Sequence, residues 1–357
     1  MNLRKICGRA ALSLFVFWLL TGAPTSPGQV KSFVLGRFEV APGGSWAGYL
    51  PVPEKDGIGT SIPVIIFHGA QKGKVLALVA GVHGCEYPPM LALYRLKKTI
   101  DPKRLSGTLL IIPIAHLPSF QRRTIYYDPS DWKNLNRVFP GDPQGTLSQR
   151  IASVLTENVV KKCDVLIDLH CGDANEALIP YTYWMVSGNP KLDEETKQLA
   201  LAFGLKNIII DEFKPKDLAD SRYLGNTAIV LGKAAITTER GFLGRTDEEM
   251  IEENLNGVLN VMKLYKMIEG SPQTVSNPVW VDKYEVVFSK HDGLFYPDLK
   301  MGDAVAQGQK VGSVTDYLGN VLEEVKAPFN GVLLYIIATP PANKGEPLFE
   351  VGRIQQK

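Results

Sequence analysis

Five short apolar runs recur between helix-like stretches from Lys74 onward, and this alternation constrains the fold more than any other feature of the chain. The runs are Val75 to Val79, Leu109 to Ile112, Val165 to Ile167, Asn207 to Ile210 and Ala235 to Thr238. They have strand length and lack a helical period. Helical patterns lie between and after them, over Pro89 to Thr99, Thr146 to Lys161, Leu192 to Phe203, Asp217 to Leu231 and Asp247 to Ile268. Such an order predicts a layered α/β domain with a mixed, largely parallel sheet.

Two of the runs end in chemistry. The first leads into Gly81-Val82-His83-Gly84-Cys85-Glu86, and the third into Asp168-Leu169-His170. His-x-x-Glu with a distant third His is the donor set of a catalytic zinc that keeps one coordination position open. Two residues between His83 and Glu86 let one loop turn bring both side chains to the same ion. Open α/β sheets place their sites at such strand ends. A lone His-x-x-Glu is common by chance; the second strand-end histidine is what makes the pattern informative.

Composition fits a globular enzyme, with 45% hydrophobic and 21% charged residues. A net charge of +2, with no basic run interleaved with aromatics, gives no reason to expect nucleic acid. The N-terminus differs from the rest. Arg4, Lys5 and Arg9 precede an apolar run of 11 residues, Ala10 to Leu20, and then small residues. This reads as a secretory signal peptide over residues 1–28, so an exported protein, periplasmic or secreted, without a membrane span once mature is expected. An uncleaved anchor is the second reading. Cys85, Cys163 and Cys171 remain after cleavage, and an odd number argues against a disulfide framework. Cys85 and Cys171 flank the predicted ligands; they are either two packed thiols or a bridge drawn together by the metal.

Beyond Gly270-Ser271-Pro272 the helical period disappears, and residues 275–357 show short strands with frequent Gly and Pro. This tail resembles the hammerhead repeat of lipoyl and biotinyl carriers, but no lysine occupies a hairpin tip in the expected setting. It reads as a β-rich accessory domain without swinging-arm chemistry.

Two further segments supply polar groups. Lys133-Asn134-Leu135-Asn136-Arg137 ends in the turn Pro140-Gly141, which places Asn136 and Arg137 in a loop. A guanidinium fork matches a carboxylate in bidentate fashion. Upstream, Arg122 and Arg123 offer further guanidinium. Glu239 closes the run Ala235-Ile236-Thr237-Thr238, where a carboxylate suits a general base, or equally one half of an ion pair with Arg240. His68, His116 and His291 read as structural.

Taken together, the His83–Glu86 motif, Asn134-Leu135-Asn136-Arg137-Val138-Phe139-Pro140-Gly141, Asp168-Leu169-His170 and Ile236-Thr237-Thr238-Glu239 resemble the succinylglutamate desuccinylase/aspartoacylase family, related to the zinc carboxypeptidases. The resemblance runs from about residue 60 to the C-terminus. It implies a zinc hydrolase domain over 33–270 followed by the β-rich domain over 275–357, one zinc per chain, and hydrolysis of the amide of an N-acyl amino acid or similar small acylated amine. It implies His83, Glu86 and His170 as zinc ligands, Glu239 as base, Asn136 and Arg137 as holders of the substrate carboxylate, and Arg123 or its neighbour Arg122 as the group that polarises the carbonyl. Cys85, Cys171 and Trp132 depart from the family's usual residues. An exported carboxypeptidase acting on peptides is the rival enzyme, and a non-catalytic binding protein on a hydrolase scaffold the rival of another class. The sequence leaves the oligomeric state open.

Overall fold

The computed structural model describes residues 30–355 except Phe213, and the predicted signal peptide lies outside them. The residues from Lys31 onward pack as one unit. In chain order its principal strands are β1 (Gly44–Lys55), β2 (Ile58–His68), β3 (Gln71–Ala80), β4 (Ser106–Ile112), β5 (Val165–His170), β6 (Tyr181–Met185), β7 (Asn207–Asp211), β8 (Ala234–Glu239), β9 (Val279–Phe288), β10 (Gly331–Ile337) and β11 (Pro347–Ile354). The helices are α1 (Tyr87–Thr99), α2 (Leu117–Arg122), α3 (Leu147–Leu155), α4 (Pro190–Phe203), α5 (Leu224–Val230) and α6 (Glu248–Leu264).

These strands belong to one 13-stranded mixed sheet, ordered β10, β11, β9, β7, β6, β8, β5, β3, β4, β2, β1. The centre is parallel across β8, β5, β3 and β4, and again across β6 and β7. β6 runs antiparallel to β8, and the strands at both margins are antiparallel. The five sequence runs are thus β3, β4, β5, β7 and β8.

Their continuous apolar character follows from helices on both faces. Along β3, Leu76, Leu78 and Ala80 face a core shared with α1, α4 and α6. Ala77 and Val79 point the other way, to a core shared with α3 and α5. β4 divides likewise, Leu109 and Ile111 to the first core and Leu110 and Ile112 to the second. Period-2 geometry sends every second side chain to the opposite layer, and both layers are apolar.

Two helices depart from expectation. The stretch expected as one helix over Asp217 to Leu231 is a single turn at Leu218–Asp220 and then α5. The Asp217 side chain accepts from the Asp220 amide and caps the turn, and Arg222 at φ 59° diverts the backbone before a helix can continue. The stretch expected over Thr146 to Lys161 is α3 followed by a π-helical turn at Thr156–Val160. The sequence reading also missed β6.

After α6 the chain builds a small four-stranded antiparallel sheet from residues 293–297, 310–315, 321–326 and 341–342, with its own apolar core. Yet β9, β10 and β11 from this same tail join the large sheet, β9 pairing in parallel with β7. The β-rich tail therefore extends the sheet that carries the site. No helix among the described residues is long and apolar enough to cross a membrane.

Leu78 sits at 0% exposure in the central strand, so Leu78→Ala should lower unfolding free energy by ~2–5 kcal/mol. Urea denaturation followed by tryptophan fluorescence measures this.

Candidate metal centre and active site

The parallel neighbours β3 and β5 end side by side, and their loops meet. Gly81, at φ 67°, turns the chain off β3. Gly84 lies so close to α2 that a Cβ would stand 2.3 Å from Ser119 Oγ, so only glycine lets the His83–Glu86 turn nest there. Glu86 immediately precedes α1, its side chain left free of any capping bond, and His170 is the last residue of β5.

One donor atom from each of His83, Glu86 and His170 lies within 4.8 Å of the others. All three side chains are buried. His83 Nδ1 is 2.7 Å from Glu86 Oε1, and His170 Nδ1 is 2.9 Å from Glu86 Oε2. Each outer nitrogen lies near an oxygen: His83 Nε2 is 3.2 Å from Asn134 Oδ1, and His170 Nε2 is 3.0 Å from Asp168 Oδ1, at ion-pair distance without hydrogen-bond alignment. Both imidazoles thus turn Nδ1 towards Glu86, and Asn134 Oδ1 meets the other nitrogen of His83, the kind of outer contact that orients metal-bound histidines. Asp168 reaches His170 because residues two apart on a strand share a face.

The electrostatics also favour a cation. Burial disfavours the charged form of Glu86, and the two histidines outweigh it and hold its pKa below the ordinary range. Burial likewise opposes the His170 cation, yet Asp168 and Glu86 raise its pKa well above normal. Burial lowers the pKa of His83. Around them Asp173 is raised well above the carboxylate range, first by burial and then by Glu86 and Glu176. Glu176 itself is pushed up to about 7 by burial and Glu86. Buried carboxylates this crowded need a compensating positive charge, and the donor set fits a divalent ion.

Glu239 is the last residue of β8 and pairs in register with His170 on one side and Tyr181 on the other. Its neighbour Arg240 pairs with Glu253 of α6 instead, and Glu239 faces the cavity. Burial and the Glu86, Glu176 and Asp168 carboxylates raise its pKa well above normal. The cavity encloses about 670 Å³.

Asn136 and Arg137 also line it. The Asn136 amide nitrogen lies 3.4 Å from His170 Nε2, and its oxygen accepts from the Leu224 amide at 3.0 Å. Arg137 stacks over the Tyr223 ring at 4.8 Å and donates to the Asn136 carbonyl. Arg122 and Arg123 are not brought to this place. Both are exposed at the end of α2, Arg123 adopts φ 55°, and neither lines the cavity. The carbonyl-polarising role expected of them has no geometric support. Tyr126 lines the wall instead, its ring edge-on to His83 at 6.0 Å. Nothing in residue spacing distinguishes this tyrosine from any other.

Among the departures, Trp132 is exposed and outside the cavity, whereas Cys171 lines it. Cys85, Cys163 and Cys171 are separate buried thiols. Cys85 Sγ donates to the Thr124 carbonyl and Cys171 Sγ to that of Gly172. His68 and His116 are buried against Thr108 and Asp128, and His291 lies near Glu323 in the tail.

The fold and its strand-end His–Glu–His arrangement define a mixed α/β scaffold with a prospective metal site. Residues 72–265 match the succinylglutamate desuccinylase/aspartoacylase catalytic domain, and the chain belongs to that family. It is 29% identical over 342 residues, 92% of this chain and 97% of the other, to the N-alpha-acetyl-L-2,4-diaminobutyric acid deacetylase of Halomonas elongata. A succinylglutamate desuccinylase/aspartoacylase structure from Rhodobacter sphaeroides is 25% identical and superposes with a TM-score of 0.76, covering 88% of this chain and 96% of that one. A succinylglutamate desuccinylase structure from a Silicibacter species is 25% identical with a TM-score of 0.75, covering 93% and 98%.

Asp168→Asn leaves His83, Glu86 and His170 in place but removes the carboxylate charge 3.0 Å from His170, so zinc affinity should fall ~10- to 100-fold, measured by competition with a chromophoric chelator. A second expectation concerns Glu350 of β11, which lines the same cavity and is pushed up to about 8 by burial, Glu176 and Asp211. The folded chain holds this proton more tightly than the unfolded one, so the contribution to stability is full below the ordinary value of 4.5 and is lost as pH rises towards about 8. Glu350→Gln should match wild type in Tm at about pH 4.5 and exceed it at about pH 9.

Proposed function

We propose that the chain is an exported, zinc-dependent deacylase that hydrolyses the amide of a small N-acyl amino acid or similar acylated amine. The observation that carries this reading is the meeting of His83, Glu86 and His170 beside the buried Glu239 in one cavity. The Halomonas relative is named for removing an acetyl group from an amino acid, and the Rhodobacter and Silicibacter neighbours bear names of the same reaction class. Export rests on the basic and apolar pattern of residues 1–28.

Zinc held by His83, Glu86 and His170 would supply Lewis acidity to the substrate carbonyl and to water. The chain's own residues do the remaining work. Glu239, with its raised proton affinity, takes a proton from the attacking water and passes it to the departing nitrogen. Asp168 and Asn134 hold the imidazoles in one orientation. Arg137, braced by Tyr223 and the Asn136 carbonyl, offers its fork to a substrate carboxylate. Tyr126, close to His83 and lining the cavity, is placed to donate to the acyl oxygen. β9 and β11 wall the cavity, which favours a small acylated amino acid over a long peptide.

Glu239→Gln should lower kcat on N-acyl amino acids by ~100-fold or more while zinc content stays near one per chain. A panel of N-acyl amino acids against peptides with free C-termini reads the substrate class. Retained turnover in Glu239→Gln removes the base from this scheme, and preference for peptides overturns the deacylase reading.

A further inference from the structure

Two histidines outside the donor set are buried, and their surroundings differ. His68 meets Thr108 and the Lys31 carbonyl, neither of which lines the cavity. His116 immediately precedes α2, and its imidazole is wholly buried. Its Nδ1 lies 3.3 Å from the carbonyl oxygen of Val82, the residue before the ligand His83. Its Nε2 lies 2.9 Å from Asp128 Oδ2, and Asp128 is wholly buried too. The main chain follows the same route, since the His116 amide donates to the Gly81 carbonyl at 2.8 Å.

Asp128 anchors a turn. Its other oxygen accepts from the Ser130 amide and hydroxyl, its own amide donates to the Lys133 carbonyl, and its carbonyl accepts from the Trp132 amide. Burial works against the Asp128 carboxylate, yet the bonds from His116 and Ser130 hold its pKa below the ordinary range. The turn sets Tyr127 opposite Asn134 in an antiparallel bridge. Asn134 then meets His83 Nε2 at 3.2 Å through its side-chain oxygen, which also accepts from the Asn136 amide at 2.8 Å. Next to Tyr127, the ring of Tyr126 stands edge-on to Tyr127 at 4.7 Å and to His83 at 6.0 Å. The His116–Asp128 pair thus joins the segment before the first ligand to the turn that carries Asn134 and Tyr126.

Neither His116 nor Asp128 lines the cavity, so the pair reaches the site only through these neighbours. Desolvation offsets most of the attraction inside such a buried pair, which makes it a weak source of net stability. Its effect here is geometric. We propose that His116 is a positioning residue that, through Asp128, fixes Asn134 and Tyr126 relative to His83. With that link cut, His83 loses the contact that orients its ring, and Tyr126 loses its place beside it. The proposal rests on the deacylase reading for the part played by Tyr126, and on the metal site alone for the part played by Asn134.

Two substitutions separate the two contacts, because an asparagine amide reaches about as far as imidazole Nδ1 and a glutamine amide about as far as Nε2. His116→Asn keeps a donor towards Val82 and gives up Asp128, whereas His116→Gln keeps the donor towards Asp128. In His116→Asn, zinc affinity by chelator competition should fall ~10-fold. At saturating zinc, its kcat on N-acyl amino acids should fall ~10-fold or more with KM within ~3-fold of wild type. His116→Gln should stay within ~3-fold of wild type in all three quantities. Losses should not add with Tyr126→Phe: once that hydroxyl is gone, His116→Asn should cost kcat less than ~3-fold. A purely structural pair would lower Tm in both variants while zinc affinity and kcat of the folded enzyme stay at wild-type values. That result overturns the proposal, as do equal losses in the two His116 variants or additive losses with Tyr126→Phe. If His116→Asn does not fold by circular dichroism, Asp128→Ala cuts the same link and removes the buried carboxylate with it; unchanged zinc affinity and kcat there overturn the proposal equally. Absence of hydrolysis of every N-acyl compound by wild type, together with a loss of zinc affinity in His116→Asn that His116→Gln avoids, retires the deacylase reading and leaves the positioning role standing.

Discussion

Two imidazoles and a carboxylate forced together out of water are what the rest of this structure is arranged around. His83, Glu86 and His170 are held within hydrogen-bond distance of one another in a buried pocket. Their proximity depends on β3 and β5 being parallel neighbours, so that both strands deliver their C-terminal ends to the same edge. Antiparallel pairing of these two strands would carry one histidine to the opposite end of the sheet. Left alone, such a cluster is expensive; with a divalent ion among its donors it becomes an attractive one.

The same edge collects further cavity-lining side chains by register. Glu239 lies beside His170, and Tyr181 lies beside Glu239, across three adjacent strands. The tail then closes the cavity from the far side through β9, β10 and β11. Its β-rich segment is therefore part of the site, since Tyr284, Tyr335 and Glu350 all come from it.

Much of the arrangement was legible in the chain. The apolar runs over Val75 to Val79 and Val165 to Ile167 are strands because both of their faces meet helices, and the ligands could be read as strand-end residues. Glu239 was legible for the same reason. Arg122 and Arg123 were misleading because residue type and order cannot say on which side of α2 a guanidinium emerges; both point to solvent. Asp217 to Leu231 looked helical because a short-range cap and one left-handed residue, Arg222, leave little mark on periodicity. Glu350 could not be found at all. Its meaning comes from two cross-strand neighbours and from Asp211, each distant in sequence, and no local motif encodes that meeting.

The central claim is that three side chains from two adjacent strand ends share one cation. Elemental analysis of the purified protein, with His83→Ala and His170→Ala beside the wild type, tests it most directly. The account predicts about one zinc per wild-type chain and almost none in either variant, with both variants folded by circular dichroism. A metal-free but fully active wild type, or full zinc content after loss of either histidine, would contradict it.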